Sequence, residues 1–195
     1  APCLLSDKQA ADLYRQATMI LTACYDPVTT EQIFPWHHGA GDFVVGMKDQ
    51  AVDVKLITVR DYAPLFAMQT VPANERALLD NLLVFFLHLS IRMRLDRLDG
   101  VSEIVWAPDT CLAPIVDGFF NGLDLVGRLF GFPDSFASFF QAYFNHQGRT
   151  PLINTAAQAA VAVFDRQREE RRAVELQLAR HLRQLRHLVE RYQLA

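Results

Sequence analysis

The chain has 195 residues, 51% of them hydrophobic, enough to bury one substantial core in a single domain with at most an appendage. A formal net charge of −3 and a pI near 6.1 give no general pull toward nucleic acid or an anionic membrane surface, and 16 Arg against three Lys read as a bacterial-type base-composition skew. Three widely spaced cysteines, Cys3, Cys24 and Cys111, form neither a disulfide framework nor a zinc ligand set, so the expected compartment is reducing and cytoplasmic.

In chain order, Ser6 with Gln9 three residues later resembles a capping box, and Ala10, Leu13, Ala17, Ile20, Leu21 and Cys24 follow at helical spacing. The first helix is predicted over about residues 7–25, closed by Asp26-Pro27 because the residue before proline is pushed out of the α region. The period then changes. FVVGM at 43–47 and VDVKLITV at 52–59 are β-branched and separated by KDQA, which predicts two antiparallel strands closed by Tyr62-Ala63-Pro64.

A helix is predicted from Pro72 to about Leu98, apolar on nearly every face at its centre and so the core helix. Its most apolar run, 82–91, is too short to span a bilayer, so no membrane span is expected. Arg92 and Asp96, four residues apart near its end, are expected to pair on the helix surface, with Gly100 as a left-handed stop. EIVWA at 103–107 reads as short and extended. Pro114 opens a helix that Gly122 and Gly127 weaken, and Asp134 or Ser135 caps another carrying Phe136, Phe139, Phe140, Tyr143 and Phe144. Those aromatics read as core, since no basic residue interleaves them as a base-stacking platform would need.

From Thr150-Pro151 onward there is no further proline or glycine, which predicts one long helix packing on residues 1–150 or extending from them. Val174, Leu178, Leu185, Leu188 and Tyr192 form a stripe with His181 on the same seam, a candidate surface over residues 174–192 for a second copy or another protein. Residues 165–195 carry eight Arg against five acidic residues, which reads on its own as a solvated helix face.

The segment PWHHGAGDF, residues 35–43, holds the candidate site. Adjacent His37 and His38 point to opposite sides of an extended segment, poor geometry for one metal, and the remaining histidines have no ligand spacing, so no metal site is expected. The simplest reading is structural: Gly39 and Gly41 permit positive φ while Trp36 anchors the turn in the core.

A His/Gly/Asp-rich loop, a hairpin and then helices also resembles the C-terminal lobe of aminoglycoside- or choline-type small-molecule phosphotransferases, over about residues 8–145. In that family a loop of the form H-G-D-x-x-x-x-N runs into the first strand, and the next strand ends in an Asp that holds Mg²⁺; one carboxylate orients the attacking hydroxyl, and the metal neutralises the phosphates. The resemblance implies Asp42 as proton acceptor or metal ligand, His37 or His38 on a substrate phosphate or hydroxyl, and Asp61 as second carboxylate. With Asp42 as the catalytic Asp, the Asn position falls on Met47. With Gly41-Asp42 at the Gly-Asn step, Trp36-His37 replace the catalytic pair and Lys55 falls near the metal Asp. No Gly-rich nucleotide loop precedes the first helix.

The expected fold is α+β, mostly α: an N-terminal helix, a β-hairpin, a helical bundle and a long C-terminal helix. Two functions stay open, a non-catalytic or degenerate domain assembling through its C-terminal helix and a divergent phosphotransferase-like enzyme acting on a small molecule or cell-envelope sugar. No cofactor is named by the residues. Convergence of Asp42, Asp61 and a histidine on one cleft would favour the enzyme, and an exposed apolar stripe over 174–192 the assembly module.

Overall fold

The first helix, α1 (Asp7–Ala23), starts where its cap dictates: Ser6 Oγ accepts the Gln9 N–H at 3.3 Å, and Gln9 Oε1 accepts the Ser6 N–H at 2.9 Å. Beyond it the Asp26 carboxylate accepts the N–H groups of Val28 and Thr29, which turns the chain back. The computed structural model describes residues 5–36, 41–49, 51–64, 74–97, 102–164 and 168–194. The expected boundary signals at Pro72 and Gly100 lie outside them.

The described residues form three two-stranded antiparallel ribbons, one of them nested in sequence between the strands of another. Strand β1 (Glu31–Ile33), absent from the sequence reading, pairs with β4 (Tyr62–Pro64). Between them β2 (Phe43–Lys48) and β3 (Ala51–Leu56) form the expected hairpin, with Val45 opposite Val54. The third ribbon joins β5 (Leu95–Arg97) to β6 (Ile104–Trp106).

Helix α2 (Glu75–Arg92) is capped by Asn74, whose side chain accepts the Ala77 N–H, and is buried continuously from Phe85 to Arg92. It is the core helix, but it stops at Arg92 rather than near Leu98. Arg92 Nη1 turns inward to Glu170 Oε2 at 3.0 Å, and Asp96 sits in β5, so the expected surface pair between Arg92 and Asp96 does not form. An arginine committed to a buried acid fixes the chain direction, and the next residues peel off into the ribbon.

Helix α3 (Leu112–Phe130) runs through its glycines unbroken. Gly118 and Gly122 face α1, where a Cβ on Gly122 would lie 2.6 Å from Thr22 Cβ and one on Gly118 would collide with the Arg15 carbonyl oxygen. These glycines let the two helices meet at backbone distance. Helix α4 (Phe136–Gln147) buries Phe140 and Phe144 against Phe86, Phe140 also against Phe119, and Phe136 against Phe132, whereas Phe139 is exposed and Tyr143 donates from its hydroxyl to Asp80.

The expected single C-terminal helix is two, α5 (Leu152–Ala162) and α6 (Arg168–Arg191). Phe164, 2% exposed, plugs the core beside His88 after α5 has packed on α2, and α6 starts afresh across α3 and α4. The stripe predicted as a partner surface is used internally: Val174, Leu178, His181 and Leu185 are buried in the protein's own core, and Tyr192 stacks on Phe120. The architecture is α+β, mostly α, and no helix among the described residues is long and apolar enough to cross a membrane.

Candidate functional site

The loop between β1 and β2 is bracketed by ribbons and clamped at both ends. At its start the Phe34–Pro35 peptide is cis and the Phe34 N–H donates to the Asp61 carbonyl at 3.3 Å. Trp36 is buried with its ring edge-on to Phe43, and its carbonyl accepts from Arg92 Nη2 at 3.4 Å. Arg92 is held in turn by Glu170, which also accepts from Arg97 Nε at 3.4 Å. At the far end Gly41 takes φ +76°, a conformation that a Cβ disfavours.

Asp42 follows, 1% exposed. Arg60 Nε lies 3.1 Å from both carboxylate oxygens, and Arg60 Nη2 donates to Oδ1 at 2.9 Å. This bidentate fork is the strong, directional form of an acid–guanidinium contact, and Asp42 holds the Arg60 guanidinium more firmly protonated than usual, first through the hydrogen bond and then through its charge. The Asp42 backbone carbonyl accepts the N–H of Ile57 at 2.9 Å, which continues the hairpin ladder.

Of the candidate residues, the structure joins Asp42 to Arg60 rather than to Asp61. The Asp61 side chain is exposed and accepts the Tyr62 N–H at 2.9 Å, a local turn contact. His37 and His38 lie outside the described residues. Beneath the loop, His88 is wedged between Phe34 and Phe164; burial, then the charge of Arg92, lowers its pKa to about 3, so it is neutral at physiological pH. Local sequence gives no signal for Arg60, for Arg92 as a buried residue, or for Glu170. Arg92 and Glu170 are 78 positions apart, and no local pattern marks such a pair.

A second polar cluster brings a serine, a histidine and an aspartate together. Ser90 Oγ is 3.0 Å from His181 Nε2, while Arg94 reaches His181 Nδ1 at 3.4 Å and Asp109 Oδ1 at 2.7 Å. Arg94 therefore stands where an acid would have to meet the imidazole, and Ser90 is fully buried with its hydroxyl donated to the Leu87 carbonyl. The arrangement lacks the geometry of a nucleophile, base and orienting acid. It serves packing instead: Arg94 lies over the Trp106 ring at 4.8 Å, and Asp109 ties Arg180 and Gln184 of α6 to the β6–α3 junction.

Among the described residues no three His, Cys, Asp or Glu side chains gather closely enough to hold a metal ion. Comparison of the chain with protein-family models, curated proteins and solved structures returns no match.

Proposed function

We propose that the protein is a non-catalytic domain that acts by assembling with another polypeptide, and that Asp42 holds the fold rather than running a reaction. The observation that carries this reading is the Asp42–Arg60 fork: both oxygens of the buried Asp42 carboxylate are engaged by one guanidinium. Such a carboxylate is committed to a guanidinium, and the arginine supplies the positive charge that a metal would otherwise bring. The surface for assembly is the β segment rather than residues 174–192, since Val44, Val45, Met47, Ile57, Val59 and Tyr62 are exposed there. Free Cys24 and Cys111 fit a reducing cytoplasmic setting.

One observation favours the phosphotransferase-like reading. Strand β2 begins directly after Asp42, as the family's strand begins after its loop, in the register that leaves Trp36-His37 at the catalytic pair. Isothermal titration with MgATP separates the two. The non-catalytic reading expects no binding at high micromolar nucleotide; saturable binding lost in Asp42→Asn would overturn it.

A further inference from the structure

The β2–β3 hairpin has two outer edges, and the protein treats them differently. Its register pairs Val44 with Lys55 and Gly46 with Asp53, and the Ile57 N–H on the Asp42 carbonyl places 42, 44, 46 and 48 as the positions bonded across the hairpin. Alternation in an antiparallel ladder then turns the backbone groups of Val52 and Val54 out of β3, and those of Phe43, Val45 and Met47 out of β2.

On the β3 side, Gln16 of α1 donates Nε2–H to the Val52 carbonyl at 2.7 Å, and its Oε1 accepts the Val54 N–H at 3.1 Å. One side-chain amide thus replaces a neighbouring strand. On the β2 side, no described residue bonds to the outward groups of Phe43, Val45 or Met47. The side chains repeat the asymmetry: Val52 and Val54, under α1, are 7% and 6% exposed, whereas Val45 and Met47 on the same face are 39% and 47% exposed. Residues 43–47 contain no charge and no proline, the devices by which exposed strand edges usually avoid pairing.

We infer that β2 is the pairing edge of a two-fold homodimer, in which β2 of a second copy of this chain lies antiparallel beside it, centred on Val45. This rests on the assembly reading above and names the partner. A second copy fits because the outward positions are symmetric about Val45: the two-fold sets Val45 against its own copy and Phe43 against Met47 of the partner subunit, so every outward N–H and C=O finds a mate. The pairing also closes. The outer edges of the resulting four-stranded sheet are the two β3 strands, each already covered by Gln16, so association stops at two rather than growing into a fibre. With strands about 4.8 Å apart, the two β3 strands stand about 14 Å apart, wider than the roughly 8–10 Å of packed helices. The half-covered Val45 and Met47 side chains of both copies fill the gap between the two α1 helices. A strand edge buries less than the roughly 1,200 Å² of a stable interface, which makes the dimer weak and concentration-dependent.

Sedimentation equilibrium of the full chain from low to several hundred micromolar tests this, with amide hydrogen exchange at the two ends of the range. The expected result is a monomer–dimer equilibrium in which the Val45 and Met47 amides gain protection with concentration, while the Val44 and Gly46 amides are protected throughout. Val45→Lys sets two like charges against each other at the two-fold and should weaken association about tenfold or more; Val44→Lys adds the same charge off the axis and should change it less than about threefold. A wild-type monomer across the range, a dimer whose Val45 exchange ignores concentration, or a folded Val45→Lys that associates like wild type would overturn the proposal. If Val45→Lys does not fold, exchange on the wild type decides alone. A monomer that binds a different protein through this edge also overturns the homodimer. The MgATP titration is read separately: a monomer that ignores MgATP removes the dimer and leaves the non-catalytic reading standing.

Discussion

Helix α1 meets the protein on two sides by opposite means. Against α3 it offers Thr18, Thr22 and the backbone of Arg15 and Met19 to Gly118 and Gly122, and the contact holds because side-chain volume has been removed. Against β3 it offers Gln16, and the contact holds because a polar group has been added to satisfy a strand edge. Helices carry their backbone hydrogen bonds internally and can meet backbone to backbone, whereas a strand beside a helix leaves backbone groups that burial penalises unless a side chain reaches them. The division extends beyond α1: Phe86, Phe119, Phe140 and Phe144 pack ring on ring between the helices, and the loop and ribbons are pinned by Arg60, Arg92 and Gln16.

The largest effect that tests this contrast is in the helical core. Phe86, fully buried against Phe119, Phe140 and Phe144, should cost roughly 3–5 kcal/mol when cut to alanine, measured by urea unfolding. A loss below about 1 kcal/mol would show that α2 is not the centre of the packing. Gly118→Ala comes next, about 1–3 kcal/mol, because the added Cβ meets the rigid backbone of Arg15; a neutral result would mean that the helices can part without cost.

Gln16→Ala should cost about 1–2 kcal/mol and speed exchange of the Val54 amide specifically, since the strand edge it covers becomes unsatisfied. Uniformly faster exchange along β2 and β3 would instead make Gln16 a general packing residue. Gly41→Ala should cost about 1 kcal/mol; nothing lies within 4 Å of its Cβ position, so the loss measures backbone strain alone. The smallest effect is expected at the exposed Arg171–Glu175 pair, where Glu175→Ala should cost only about 0.2–0.5 kcal/mol, falling with added salt.

The buried histidines add a pH axis. His88 and His181 have folded-state pKa values near 3 against an ordinary 6.5, chiefly through burial and then through Arg92 and Arg94 respectively. Between those values the unfolded chain takes up protons that the folded chain refuses, so stability is full above about pH 6.5 and falls as pH drops toward 3. Thermal midpoints should therefore decline from pH 7 to pH 5, and His88→Leu should flatten that decline. An unchanged slope in the variant would assign the acid sensitivity elsewhere.

What the amino-acid sequence determined alone is local. The Ser6–Gln9 cap, the Asp26-Pro27 exit, the β2–β3 hairpin and the apolar core of α2 are written in spacings of a few residues, where side chains act on their own backbone. The Trp36 anchor and the positive φ of Gly41 were legible for the same reason. Only the tertiary structure decided that α2 ends at Arg92, because the acid that draws Arg92 inward comes from α6, 78 positions away. It alone decided that Gly118 and Gly122 are contact points rather than helix breaks, that the stripe from Val174 to Leu185 faces the protein's own core, and that Asp42 answers to Arg60. A residue's type and period state what it can bury or bond; which partner arrives is settled by how helices and ribbons stack, and that choice leaves no mark in local spacing.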